Sequence, residues 1–178
     1  MRIIGGSHKG RKFNVPRSFK SRPTTDLARE SLLNMLLNRY DFDSVNAIDL
    51  FAGTGAVSFE FASRGIKEIL IVEGSFKLCG IIKQLTREFG FDQIRVVKKD
   101  VFRFLSGQVY PADIIFADPP YNLKEIETLP ELIFINNWLN SQGCFILEHS
   151  KEFNFEEHPR FLNVKKYGAV HFSFFFAE

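Results

Sequence analysis

Asp118-Pro119-Pro120-Tyr121 brings an acid, two prolines and an aromatic ring into four residues directly after an apolar run. Proline fixes the backbone and carries no N–H, so such a loop is rigid, poor in donors and rich in carbonyl acceptors. A carboxylate and a carbonyl can take the two hydrogens of a planar amine while a ring stacks on the base that bears it. Asp118, Pro119, Pro120 and Tyr121 are therefore the candidate catalytic set, for chemistry at an exocyclic amine.

A second stretch supplies the other half of a site. Val45 to Gly55 is an apolar run that ends in Asp49, Phe51, Ala52, Gly53, Thr54 and Gly55 and passes into a helix-like segment. A strand, a glycine turn and a helix N-terminus together form a nucleotide-type site. The spacing differs from the dinucleotide Gly-x-Gly-x-x-Gly because position 58 is serine. Glu73 ends the next apolar run, where an acid can accept hydrogen bonds from both hydroxyls of a ribose. Asp100 follows a third run and suits either an adenine amino group or a helix N-cap.

The elements that must hold these residues read as alternating strands and helices. Strands are predicted at 45–51, 68–73, 94–98, 113–117 and 143–148, each a short apolar run as expected when both sheet faces are covered. Leu78, Ile82, Leu85 and Phe89 give one buried helical stripe. Thr128 to Glu131 reads as a capping box with proline in the first turn. Residues 164–168 and 169–177 are strand-like around Gly168 and predict an antiparallel pair at the end of the sheet. The expected fold is α/β, a Rossmann-like, mostly parallel sheet with helices on both faces and that C-terminal pair, in residues 45–178. Residues 1–44 form a basic extension: a small hairpin, a connector, and a helix capped by Thr24 or Thr25 and running to about Arg39. Any boundary falls near 41–44.

The 178 residues are enough for one domain with a sizeable core. No apolar stretch reaches the length of a membrane span, and the N-terminus lacks signal-peptide architecture. Cys79 and Cys144 stand far apart without metal-ligand spacing, which predicts no metal and a reducing, cytoplasmic setting. The net charge of +2 is unevenly distributed. Nine Lys or Arg face two acids up to Arg39, whereas acids predominate afterwards. Such a basic segment can neutralise phosphates and gain affinity from counterion release, and it makes Lys9, Arg11, Lys12, Arg17, Lys20 and Arg22 candidate RNA contacts.

Taken with Asp-Leu-Phe-Ala-Gly-Thr-Gly, Asp-Pro-Pro-Tyr resembles the class I S-adenosylmethionine-dependent amino-methyltransferases. The opening Met-Arg-Ile-Ile-Gly-Gly-x-x-Lys-Gly-Arg, and Arg22-Pro23-Thr24-Thr25-Asp26 with Arg29-Glu30, resemble more specifically the RsmD family of bacterial 16S rRNA guanine-N2 methyltransferases. The resemblance covers essentially the whole chain. It implies that Asp49 to Gly55 wrap the methionine end of S-adenosyl-L-methionine, that Glu73 holds the ribose, that Asp100 and Val101 lie near the adenine, and that Thr25 closes over the cofactor. It also implies ribosomal RNA as the partner, within an assembling small subunit, and a monomeric enzyme. From the residues alone, a DNA amino-methyltransferase, a nucleotide-dependent oxidoreductase and a non-catalytic RNA-binding module stay open.

Overall fold

The computed structural model describes residues 1–14, 25–120 and 122–178. Alternation begins with strand β1 (Asn46–Leu50), helix α2 (Ala56–Ser63) and strand β2 (Glu68–Glu73), preceded by helix α1 (Asp26–Leu37). Helix α3 (Phe76–Phe89), strand β3 (Ile94–Lys98), the short helix α4 (Val101–Leu105) and strand β4 (Ala112–Ala117) follow. Helix α5 (Leu129–Ile135) leads to strand β5 (Leu139–His149) and the final pair β6 (Phe161–Tyr167) and β7 (Val170–Phe176). The seven strands form one sheet in the order β3-β2-β1-β4-β5-β7-β6. β1 to β5 are parallel, and β7 runs antiparallel to both β5 and β6. The strand order reverses between β1 and β4, the switch point at which open α/β sheets bind ligands.

Each sheet face carries its own core. Ala47, Ile69, Ile71, Ile114, Phe116 and Ile146 pack against α1, α2 and α3 through Leu32, Phe59, Ile82 and Phe89. On the other face, Ile48, Val72, Ile115 and Leu147 meet α4 and α5 through Phe104, Leu105, Leu129 and Ile133. Trp138 is fully buried there and its indole N–H donates to the Leu105 carbonyl at 3.1 Å, which ties the end of α5 to α4. Most of the phenylalanines serve these two cores, where aromatic rings contribute the largest apolar areas. Cys79 and Cys144 are buried free thiols. No helix among the described residues is long and apolar enough to cross a membrane.

Several expectations need correction. Thr128 does not form a capping box: a 3-10 turn (Ile126–Thr128) runs straight into α5, and the Thr128 hydroxyl donates back to the Glu125 carbonyl at 2.7 Å. β5 starts earlier than its apolar run because Leu139 pairs with Ala112, and a bulge between Ala112 and Ile114 absorbs the polar residues that follow. Asn140 in that polar stretch donates to the Asp113 carboxylate at 2.9 Å. β6 also starts earlier, at Phe161, because an edge strand tolerates the exposed Leu162 and Asn163 on its open side. The expected N-terminal hairpin is a minimal ribbon, with one bridge between Arg2 and Lys12 around the 3-10 turn Gly6–His8.

That ribbon is not a separable arm. Ile3 and Phe13 belong to the same buried cluster as α1 and the sheet. Glu60 on α2, 0 % exposed, accepts the Ile4 N–H at 2.6 Å and the Gly5 N–H at 3.4 Å. The same carboxylate pairs with Arg64 and lies 3.4 Å from Nε of Arg29 on α1. One buried acid thus joins the ribbon, α1 and α2. Glu60→Ala should lower the unfolding free energy by about 3–5 kcal/mol, because Arg29 then keeps a buried charge without this partner. Urea denaturation measures the change, and a loss below about 1 kcal/mol would contradict the buried-pair account.

Candidate active site

The carboxyl ends of β1 to β4 open into one cleft of about 1040 Å³. Of the residues singled out in the sequence, Asp49, Phe51, Ala52, Gly53, Thr54, Glu73, Asp100, Val101, Asp118, Pro119 and Pro120 all line it. Two stretches almost seventy residues apart become neighbours because β1 and β4 are adjacent parallel strands, with Leu50 level with Ala117. The Asp118 N–H reaches the Leu50 carbonyl at 3.4 Å. Across the strand order the site reads from Asp100 and Val101 after β3, through Glu73 on β2 and the glycine turn after β1, to Asp118 after β4.

The turn after β1 has an unusual backbone. Gly53 and Gly55 adopt φ of 56° and 76°, in the left-handed region where glycine carries no Cβ penalty. Gly55 is the N-cap of α2 and does not line the cleft; a Cβ there would meet Phe59 and Ile82 at 3.2–3.3 Å. Phe51 is also left-handed, at φ 58°. That conformation costs a bulky residue about 1–2 kcal/mol, and such outliers cluster at functional sites. The Glu73 carboxylate holds the turn from the side: one oxygen accepts the Gly53 N–H at 2.9 Å, the other the Ser75 N–H at 2.7 Å. Glu73 therefore shapes the glycine turn while its carboxylate faces the cleft. Asp100 is the helix N-cap that the sequence allowed for, its carboxylate accepting the Arg103 N–H at 3.0 Å at the start of α4, and it also lines the cleft.

Asp49 is 1 % exposed and accepts a hydrogen bond from the Ser58 hydroxyl at 2.5 Å. Burial pushes its carboxyl up to about 7; the Ser58 hydrogen bonds oppose the rise and the Glu73 charge adds to it. Asp118 stands well above the ordinary carboxylate range, first through burial, then through the charges of Glu148 and Asp49. Glu148, 2 % exposed, lies near the end of β5; Ala117 pairs with Leu147, so the next residues along, Asp118 and Glu148, are neighbours on one face. Perturbed acids gathered in a cleft mark a functional site on physical grounds.

Other expected residues fall elsewhere. Thr25 is the N-cap of α1, its hydroxyl oxygen accepting the Ala28 N–H at 3.2 Å, and it is not among the residues lining the cleft. Lys9, Arg11 and Lys12 are exposed on the N-terminal ribbon, also away from the cleft lining. Arg11 packs on the end of α3, 4.7 Å over the Phe89 ring and hydrogen-bonded to the Glu88 carbonyl. Tyr121, Arg17, Lys20 and Arg22 lie outside the described residues. Sequence reasoning missed Glu148 and the cleft-lining Arg29 as site residues. Both left a signal: Glu148 is one more acid where a strand ends, and Arg29 interrupts the apolar stripe of α1 between Ala28 and Leu32.

Comparison with known proteins agrees with this fold. The family described as conserved hypothetical protein 95 matches residues 1–176. Ribosomal RNA small subunit methyltransferase D of Escherichia coli K12 is 35% identical over 154 residues, which cover 85% of this chain and 76% of that protein. The solved structure of yhhF from Escherichia coli superposes with a TM-score of 0.89 at 28% identity, covering 100% of this chain and 98% of the other. An RNA methyltransferase from Salinibacter ruber in complex with S-adenosyl-L-homocysteine reaches a TM-score of 0.68 over 86% of this chain and 92% of that one; at 13% identity it speaks to the fold alone.

The raised acids make stability depend on pH in a defined direction. The native protein keeps a proton on Asp49 at pH values where the unfolded chain, with a carboxyl near 3.8, has lost it. Stability therefore falls as pH rises from that value through about 7 and levels off above it. Asp49→Asn should be more stable than the parent near pH 8.5, by up to about 4 kcal/mol, with the advantage fading towards about pH 5. Urea midpoints at the two pH values measure this, and an advantage of the same size at both contradicts it.

Proposed function

The chain belongs to the family described as conserved hypothetical protein 95, and from that membership we propose that it transfers a methyl group from S-adenosyl-L-methionine to the exocyclic N2 of a guanine in small-subunit ribosomal RNA. Relatives named for small-subunit rRNA methylation support the reaction class. The observation that carries the site assignment is the meeting of Asp118-Pro119-Pro120 with the Asp49–Gly55 turn in one cleft at the switch point of the sheet.

The donor set fits this cofactor. A buried acid at Asp49, a carboxylate at Glu73 and an acid at Asp100 suit cationic and hydroxyl-bearing groups, and the left-handed glycine turn gives a ligand close access to backbone. When bound, the cofactor supplies a methyl group on a positively charged sulfur. A positive charge in the cleft favours the ionised form of neighbouring acids, so it draws Asp49 and Asp118 to their carboxylate state. Asp118 and the Pro119 carbonyl then accept the two hydrogens of the guanine amine and turn its lone pair away from the ring. The Pro120 carbonyl already accepts the Leu123 N–H at 2.9 Å, which holds the loop after the prolines.

Positioning of two bound reactants can supply roughly 7–11 kcal/mol of the barrier, and the Asp118 carboxylate stabilises positive charge that develops on the nitrogen. Tyr121 is assigned the stacking role for an extruded guanine, on its place in the sequence. The basic residues of the N-terminal ribbon contact phosphates, which position rather than specify. We place the reaction in the cytoplasm, on RNA of an assembling small subunit, with a monomeric enzyme.

The test is transfer of labelled methyl from S-adenosylmethionine to RNA, small subunits and DNA taken from a strain lacking this protein, followed by nucleoside analysis. The expected product is N2-methylguanosine in small-subunit RNA, lost by roughly 100-fold or more in Asp118→Ala while that variant still binds cofactor. Label in DNA as N6-methyladenine, with none in RNA, would overturn the proposal. Undiminished turnover in Asp118→Ala would remove Asp118 from the chemistry.

A further inference from the structure

We infer that Arg29 is the anion-holding residue of the cleft and takes the carboxylate at the amino-acid end of the cofactor. The assignment rests on the S-adenosylmethionine reading and adds to it a residue that neither the glycine turn nor the Asp-Pro-Pro loop contains.

Charge within the cleft comes first. Its lining side chains include five acids, Asp49, Glu73, Asp100, Asp118 and Glu125, and among the described residues one cationic side chain, Arg29. The acids suit an ammonium, a sulfonium and ribose hydroxyls. A carboxylate carried by the same ligand would be repelled by those acids and attracted by that guanidinium.

Arg29 also belongs to a network with positive charge to spare. Arg2 Nε pairs with one oxygen of Asp26 at 2.9 Å, and Arg29 with the other at 2.9 Å. Arg29 Nε lies 3.4 Å from Glu60, which Arg64 also engages. Three guanidiniums thus face two carboxylates, a surplus of one positive charge. Arg29 is 2 % exposed, and its Nε makes no hydrogen bond among the described residues. A buried guanidinium with an unused donor is costly by itself. A third carboxylate, after those of Asp26 and Glu60, would give that planar fork a further charged partner and offset the cost.

The position is also correct along the strand order. Asp100 and Val101 follow β3, and Glu73 ends β2, so the base and ribose extend towards that side. Arg29 is linked through Glu60 to α2, which begins at the glycine turn after β1 and presents Ala56 and Val57 to the cleft. Among the described residues, the cationic side chain of the lining therefore stands on the α1–α2 side of the cleft, beside the glycine turn rather than beside Asp100 and Val101. The Met1 ammonium, which donates to the Phe13 carbonyl at 3.0 Å, is the other positive group nearby and the natural competitor for the role.

Calorimetric binding of S-adenosylhomocysteine and of its decarboxylated analogue, to the protein and to Arg29→Met, separates the possibilities. The parent should prefer the carboxylate-bearing ligand by roughly 10- to 100-fold, the strength of a charged hydrogen-bonded contact. In Arg29→Met the preference should collapse to within about threefold, with affinity for the decarboxylated analogue retained. Because that change removes one of the two guanidiniums that engage Glu60, the double variant Arg29→Met/Glu60→Gln removes both charges of the Arg29–Glu60 pair and should behave in the same way. Equal weakening of both ligands would mean that Arg29 only holds α1 in place and would overturn the assignment. A preference that survives in both variants would hand the carboxylate to the Met1 ammonium or another group, and overturns it as well. Failure of the parent to bind either ligand would instead sink the cofactor reading on which the assignment stands.

Discussion

Everything at the functional end of this protein depends on the burial of carboxylates along one edge of its sheet. Asp49, Asp118 and Glu148 come from β1, from the residue after β4, and from β5, and each lies where its strand gives way to a loop. Parallel register forces them together: Leu50 is level with Ala117, and Ala117 with Leu147. Burial then raises Asp49 to about 7, the Glu73 charge adding to it, and burial with the charges of Glu148 and Asp49 lifts Asp118 well above its usual range. Those acids oppose stability at neutral pH, a cost a protein carries only where a ligand or a reaction uses it. In the proposed reaction, a positively charged cofactor would offset the repulsion and restore the carboxylates for use as acceptors.

A second charge network fixes what covers this edge. Glu60 gathers the backbone of Ile4 and Gly5, the Arg29 guanidinium and Arg64 onto α2. The N-terminal ribbon and α1 are thereby attached to the same helix that starts at the glycine turn. Ile3, Phe13, Leu32 and Leu36 bury apolar area in the same cluster. The ribbon that bears Lys9, Arg11 and Lys12 is held to the α/β body by core packing as well as charge, so a phosphate contact made there would have a fixed geometry relative to Asp118.

Much of this was legible in the sequence, and the reason is physical. Strands buried on both faces must be largely apolar, so β2 and β4 are visible through their runs Ile69 to Val72 and Ile114 to Ala117. The glycine turn and the Asp-Pro-Pro loop are local chemistry and can be read without knowing the fold. What escaped notice depends on partners distant in sequence. Residues 139–142 belong to β5 only because Leu139 finds Ala112, and Thr128 lost its capping role to a 3-10 turn that sequence pattern does not mark. Glu148 and Arg29 are ordinary charges until register buries the first beside Asp118 and helix packing sets the second in the cleft wall. The left-handed Phe51 carries no signal in its residue type.

The central claim is that a cation in the cleft ionises buried acids. Calorimetric titration of S-adenosylmethionine into the protein, in buffers of different ionisation enthalpy, tests it most directly. The account predicts release of a substantial fraction of one proton or more per cofactor bound near pH 7, declining as pH rises well above the raised value of Asp49. An observed binding enthalpy that follows buffer identity in that sense would support it. A binding enthalpy independent of the buffer at neutral pH would contradict it.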